Sequence, residues 1–132
     1  MSEWQNVPKN IEDYQGFVYM IRRHIDDDDK YYIGKKNFWK VVKYPPLKGR
    51  KNKRHKKVET KWRDYWGSSD ALKKDVKKYG KKNFRREMLY LCKDKWEMSY
   101  KELQEQMRRN VLFDENSYNN IIQVRLKGRK QK

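Results

Sequence analysis

Apolar and aromatic residues group into short blocks along this chain, and the spacing within each block predicts its secondary structure. Gly16-Phe17-Val18-Tyr19 and Tyr32-Ile33-Gly34 read as strands, Phe17 to Arg22 and Tyr31 to Ile33, joined by a polar hairpin loop. A second block, Leu72, Val76 and Tyr79, falls on one face of a helix. Ser68-Ser69-Asp70 supplies its N-cap and Gly80 its stop. Phe84 to Leu91 reads as a third strand. A second helix is expected from Ser99, with Tyr100, Leu103, Met107 and Val111 as its buried stripe.

Between these blocks the pattern is polar. Residues 1–15 form a lead-in containing Pro8, without periodicity. Asp26 to Asp29 lie in the hairpin loop and lack the alternate spacing by which calcium loops converge their oxygens, so they read as a solvated acidic turn. From Pro45-Pro46 to Lys57 no period is visible. Seven of the ten residues from 48 to 57 are Lys or Arg, none acidic. Thr60 to Tyr65 is short, aromatic and basic, and Tyr118 to Ile122 precedes a basic tail, 125–132.

Charge then narrows the function. Of 132 residues, 35 are Lys or Arg and 18 are Asp or Glu, a formal net charge of +17. A chain this basic repels itself unless a polyanion neutralises it, which points to nucleic acid. The basic segment of Lys48, Arg50, Lys51, Lys53, Arg54, His55, Lys56 and Lys57, with Lys36 before it, is expected to hold phosphates as a loop ordered by its partner. Nineteen aromatic residues argue against a disordered tail. The lone Cys92 excludes an internal disulfide, and two histidines beside it make a structural zinc site implausible. No segment has membrane-spanning length and the N-terminus has no apolar signal core, so a soluble cytoplasmic protein is expected.

Hydrolysing a phosphodiester requires a base for water, cations for developing charge, and help for the leaving oxygen. Tyr19 and Tyr32 lie on strands that can pair, which brings their rings within cross-strand reach. Lys35 and the basic segment are placed to lower a tyrosine pKa. Ser99-Tyr100-Lys101-Glu102 fits a capping box, which accounts for Glu102 without metal chemistry. A metal-binding carboxylate at 102 or 105 is the alternative, and the helical pattern does not choose between them.

GFVYMI, KYYIGKK, WRDYWGSS, KYGKKNF, SYKELQEQ and SYNNII, in that order over 16 to about 122, resemble a GIY-YIG nuclease of the small phage type. The resemblance implies that Tyr19 activates the attacking water or is its base, and that Tyr32 orients water or phosphate. It implies Lys35 as a cation, Glu102 as ligand to a single Mg²⁺ or Mn²⁺, and Asn119 as support. The family arginine is displaced by the basic insertion, since position 42 is Val, leaving Arg63, Arg54 and Arg50, with Arg63 preferred. The expectation is one α+β domain over 1–132, a small, largely antiparallel three-stranded sheet flanked by helices, acting as a metal-dependent DNA endonuclease. Low intrinsic sequence specificity, a phage or mobile-element role, a homodimer for double-strand breaks and no small-molecule cofactor complete that expectation. The alternatives are a basic nucleic-acid-binding protein that does not cut, and an RNA nuclease on the same scaffold.

Overall fold

The computed structural model describes residues 3–52 and 54–130, so Lys53 and the terminal Lys132 lie outside it. Strands β1 (Trp4–Gln5), β2 (Gly16–Arg23), β3 (Tyr31–Asn37), β4 (Trp39–Tyr44), β5 (Arg54–Glu59) and β6 (Phe84–Cys92) accompany helices α1 (Asp70–Tyr79) and α2 (Lys95–Arg108). The α+β class and the tyrosine hairpin are as the pattern predicts. The main sheet, however, has four strands in the order β1-β6-β2-β3. The added strand, β1, pairs parallel to β6 and lies in the lead-in that shows no period. Two residues are too few to display alternation. Trp4 is nonetheless buried, and its indole Nε1 donates to Trp62 O at 3.0 Å.

Strand β2 is covered on both faces, which is why it reads as the nearly unbroken apolar run Phe17 to Ile21. Phe17, Tyr19 and Ile21 face Leu72 and Val76 of α1 together with Phe38 and Trp62. Val18 and Met20 face Met98 of α2, with Tyr31, Ile33 and Val111. Helix α1 matches its predicted limits, with Ser69 Oγ accepting from Leu72 N at 3.3 Å and Gly80 at φ +91° closing it.

Helix α2 begins four residues before Ser99. Asp94 accepts from Glu97 N at 2.8 Å, and Glu97 Oε1 accepts from Lys93 N, just ahead of the cap, at 3.3 Å, a close variant of the box expected of Ser99 and Glu102. Asp94 and Glu97 have the same spacing as Ser99 and Glu102, and the earlier pair holds the cap. The expected stripe is also displaced. Tyr100 and Met107 point outward, while Met98, Glu105 and Gln106 are buried.

The four-aspartate turn is not merely solvated. Asp28 pairs with the buried Arg23, whose Nη1 also contacts Asp75 at 2.8 Å, and Tyr118 donates its hydroxyl to Asp75 at 2.6 Å. Arg23 thus ties the hairpin loop to α1 and to the segment after α2. Removing the buried Arg23 leaves two partly exposed carboxylates without their charged hydrogen bonds, at a cost of about 2 kcal/mol. Arg23→Ala is therefore expected to lower the unfolding free energy in urea by about that amount. A loss below about 1 kcal/mol would match a pair on the surface instead.

The last four residues of the segment expected to be an aperiodic basic loop, Arg54 to Lys57, are strand. β4 and β5 form a separate antiparallel ribbon, from Trp39↔Glu59 to Tyr44↔Arg54, and pack mainly against each other. Cross-strand hydrogen bonding, not a core-facing period, gives it order. Among the described residues no helix is long and apolar enough to cross a membrane.

Candidate active site

The register of the hairpin places Tyr19 directly opposite Gly34, and this pairing organises the site. A Cβ at Gly34 would lie 2.5 Å from the Tyr19 hydroxyl oxygen and 2.9 Å from the Tyr32 ring. The glycine of the second half-motif is thus the seat on which the hydroxyl end of the tyrosine of the first rests. An irregularity in the β2–β6 pairing between Val18 and Tyr19 falls at the same place. Bulges of this kind re-aim side chains and recur beside active sites. The Tyr19 and Tyr32 rings stand 6.2 Å apart between centroids.

Tyr19 is buried and its hydroxyl meets Tyr65, whose ring meets it edge-on at 5.9 Å. Tyr32 is the more exposed of the pair, and its hydroxyl shares a 3.0 Å hydrogen bond with Ser68 Oγ. Burial pushes the Tyr19 phenol well above its ordinary pKa, with the neighbouring Tyr65 and Tyr32 adding to the shift. Burial also raises the Tyr32 phenol; the Ser68 hydrogen bond opposes this, and Tyr65 and Glu102 reinforce it. The expectation that cations would lower these values is reversed, because rings and a carboxylate surround the hydroxyls while the basic segment folds into the ribbon.

Tyr32 borders a cleft of about 460 Å³ along the outer edge of β3. Ser68 to Ala71, at the N-terminus of α1, form one side, Glu102 and Gln106 of α2 another, and residues 118–121 a third. A helix N-terminus favours anionic groups, and this one opens onto the cleft. Asn119 is buried and latches the strand itself. Its Oδ1 accepts from Ile33 N at 2.9 Å and its Nδ2 donates to Ile33 O at 2.8 Å, fixing the backbone next to Tyr32.

The two acidic candidates on α2 now separate. Glu105 is 1% exposed and accepts from Arg108, Arg109 and Tyr90. Burial alone would raise its pKa, but these hydrogen bonds overcome that and hold it below the ordinary value. Glu102 is half-buried, and no hydrogen bond to its carboxylate occurs among the described residues. Burial raises its pKa, opposed by Lys35. Lys35 Nζ donates to Ser99 Oγ at 2.8 Å, which gives that serine a role other than capping.

No three His, Cys, Asp or Glu side chains converge on a metal position among the described residues, so an all-protein cage is absent from that set. One desolvated carboxylate lacking a hydrogen-bond partner, facing a cleft with hydroxyl oxygens, does fit a hard cation. Mg²⁺ is commonly held by one or two carboxylates, keeping waters and taking substrate phosphate oxygens.

Arg63 is not brought to this cleft. Its guanidinium pairs with Glu59, lies 4.4 Å over the Trp62 ring, and borders a separate cavity with Trp4 and Arg86. Arg54 covers Tyr44 on the ribbon, and Arg50 lies in the ribbon's turn. Among the described residues no arginine lines the Tyr32–Glu102 cleft. The sequence offers no signal for Tyr65 and marks Ser68 only as a helix-capping residue, although both stand in WRDYWGSS. Lys36 adds a cation there, with its Nζ 4.5 Å over the Tyr65 ring.

A family model described as "Putative endonuclease segE, GIY-YIG domain" matches residues 2–122. Comparison with curated proteins and with solved structures gave no match.

Proposed function

The chain belongs to the GIY-YIG endonuclease family, and from that premise we propose that it hydrolyses DNA phosphodiesters with the help of one divalent cation, Mg²⁺ or Mn²⁺. The observation that supports this best is the Glu102 carboxylate, half-buried without a hydrogen-bond partner, on the same cleft as the Tyr32 hydroxyl. Retaining a desolvated, unpaired carboxylate costs stability, and such groups persist where chemistry needs them.

Glu102 would hold the cation, with Ser68, Ser69 and water completing a shell of oxygens. When bound, that ion supplies Lewis-acid stabilisation of charge on the phosphate oxygens. Tyr32, at the cleft surface, orients the attacking water and takes its proton, while Tyr19 and Tyr65 fix the Tyr32 ring from beneath. Lys35 and the N-terminus of α1 meet the phosphate, taking the cationic role first assigned to Arg63. Asn119 acts through Ile33 as a positioning residue. Incubating the purified protein with supercoiled plasmid tests this reading: nicked or linear product in Mg²⁺ and none in EDTA is expected. Binding without cleavage under both conditions would leave a nucleic-acid-binding protein.

Affinity should come largely from the basic ribbon. Each phosphate contact adds close to one unit to the slope of log affinity against log salt. Neutralising Lys51, Lys56 and Lys57 together to Gln is expected to flatten that slope by roughly two to three units. Affinity should fall much more than the rate at saturating DNA, because charges that bind ground and transition states equally do not raise that rate. An unchanged slope would remove the ribbon from the interface.

A further inference from the structure

The β4–β5 ribbon has a composition that its own fold does not explain. Between positions 39 and 59 there are nine Lys or Arg and a single acidic residue, Glu59. Lys43 lies directly opposite His55, and the run Arg54 to Lys57 places four basic residues in succession along one strand. A run of basic residues along one strand adds repulsion, and two-stranded ribbons are marginal in water to begin with. The body contributes mainly at the base. There Trp39 Nε1 donates to Tyr14 O at 3.0 Å, and Thr60 N to Phe38 O at 2.8 Å. Beyond that base most side chains stand in solvent, including Val41, which is 64% exposed, while Val42 and Val58 are half-buried.

We propose that this ribbon enters the major groove of duplex DNA, with the face carrying Val41, Lys43, His55 and Lys57 turned to the base edges. This rests on the nuclease reading only for the identity of the partner. The register puts these four side chains on one face, since Val41 pairs with Lys57 and Lys43 with His55. On the opposite face Val42 and Val58 are half-buried and Arg54 is held over the Tyr44 ring with its Nε donating to Pro45 O at 3.3 Å. On the proposed face Lys57 Nζ lies 4.6 Å over the Trp39 ring near the base, and Val41, Lys43 and His55 are exposed.

Dimensions select the groove. Two strands lie about 4.8 Å apart, so a ribbon with side chains suits a groove about 12 Å wide and exceeds one of about 6 Å. Six residues per strand give it a length of about 20 Å, enough to lie along the groove rather than touch its rim. Lys and His side chains can donate to guanine O6 and N7, and an exposed valine suits the thymine methyl. Duplex RNA offers no equivalent, because its major groove is too deep and narrow for side chains. Only Phe38 separates β3 from β4, so a duplex held on the ribbon is tied directly to the strand carrying Tyr32 and Lys35.

The test is equilibrium binding of the full chain in EDTA to a labelled 30-base-pair DNA duplex. Competition by methyl green, which occupies the major groove, and by netropsin, which occupies the minor groove, provides the readout. Methyl green is expected to displace the protein and netropsin to leave it bound. Val41→Glu should weaken binding at least tenfold with an unchanged melting temperature, whereas Val41→Lys should bind as tightly as the parent or more so. An RNA duplex of the same sequence should bind at least tenfold more weakly. Displacement by netropsin alone, Val41→Glu protein of parental affinity, or equal affinity for the RNA duplex would each overturn the proposal. Plasmid cleavage in Mg²⁺ is scored separately. Displacement by methyl green without cleavage would sink the nuclease reading and leave the ribbon reading standing; cleavage with displacement by netropsin alone would do the reverse.

Discussion

Glu102→Ala protein is expected to fold, bind DNA and fail to cleave it, with the saturated rate in Mg²⁺ down by about a thousandfold or more. Removing a single preorganised electrostatic group at a reaction centre commonly costs a hundred- to a thousandfold, and here the change removes the only protein carboxylate proposed to hold the ion. The same substitution should leave the melting temperature in EDTA unchanged or raised, because it deletes a half-buried carboxylate that no hydrogen bond satisfies. A capping residue would behave differently, losing about 0.5–2 kcal/mol of stability while folded protein stayed active. Asp94 and Glu97 already hold that cap. Glu105→Gln provides the contrast. It weakens contacts to Arg108, Arg109 and Tyr90, so it should lower stability and leave chemistry largely intact. Cleavage by folded Glu102→Ala protein at near the parental rate would eliminate Glu102 as the ligand.

Tyr19→Phe and Tyr32→Phe are each expected to lower the saturated rate by about a hundredfold, the scale of a positioned acid–base group. Phenylalanine keeps the ring on its Gly34 seat and most of the packing, so the loss isolates the hydroxyl. In the parent the rate should climb with pH. Burial raises the Tyr32 phenol above its ordinary value, so the phenolate is scarce near neutrality, and its fraction grows about tenfold per unit as pH rises from 7 to 9. Tyr32→Phe should lose that rise, whereas Tyr19→Phe, acting from beneath, should retain it at a lower rate. Parental activity in both variants would return the two tyrosines to hairpin packing. A flat profile in the parent would restrict Tyr32 to donating a hydrogen bond.

Local pattern carried far in this chain. The strands holding Tyr19 and Tyr32 announce themselves because their residues pack on a pleated sheet. Helix α1 is legible end to end because Ser69 and Gly80 act within a few residues of themselves. The same locality misplaced the start of α2, where two cap signals of identical spacing compete and only the packing of Met98 against β2 favours the earlier one. Shifting that start removed the explanation that had accounted for Glu102.

What the sequence determined by itself was therefore composition and local geometry: a basic chain, two tyrosine strands, one capped helix and the order of the motifs. Tertiary structure decided which members of that set meet. It separated Glu102 from Glu105 by giving Glu105 two arginines and a tyrosine, drew Arg63 to Glu59 and away from the cleft, and explained Gly34 as the seat of the Tyr19 ring. It also buried Trp4 from a lead-in without periodicity and folded the end of the basic insertion, Arg54 to Lys57, into a ribbon. The Tyr19–Gly34 seat and the burial of Trp4 depend on contacts between residues far apart in the chain, whereas Arg63 meets Glu59, and Arg108 and Arg109 meet Glu105, only three or four residues away. Even for those local pairs the burial and desolvation around each side chain follow from tertiary packing, and no local spacing encodes them.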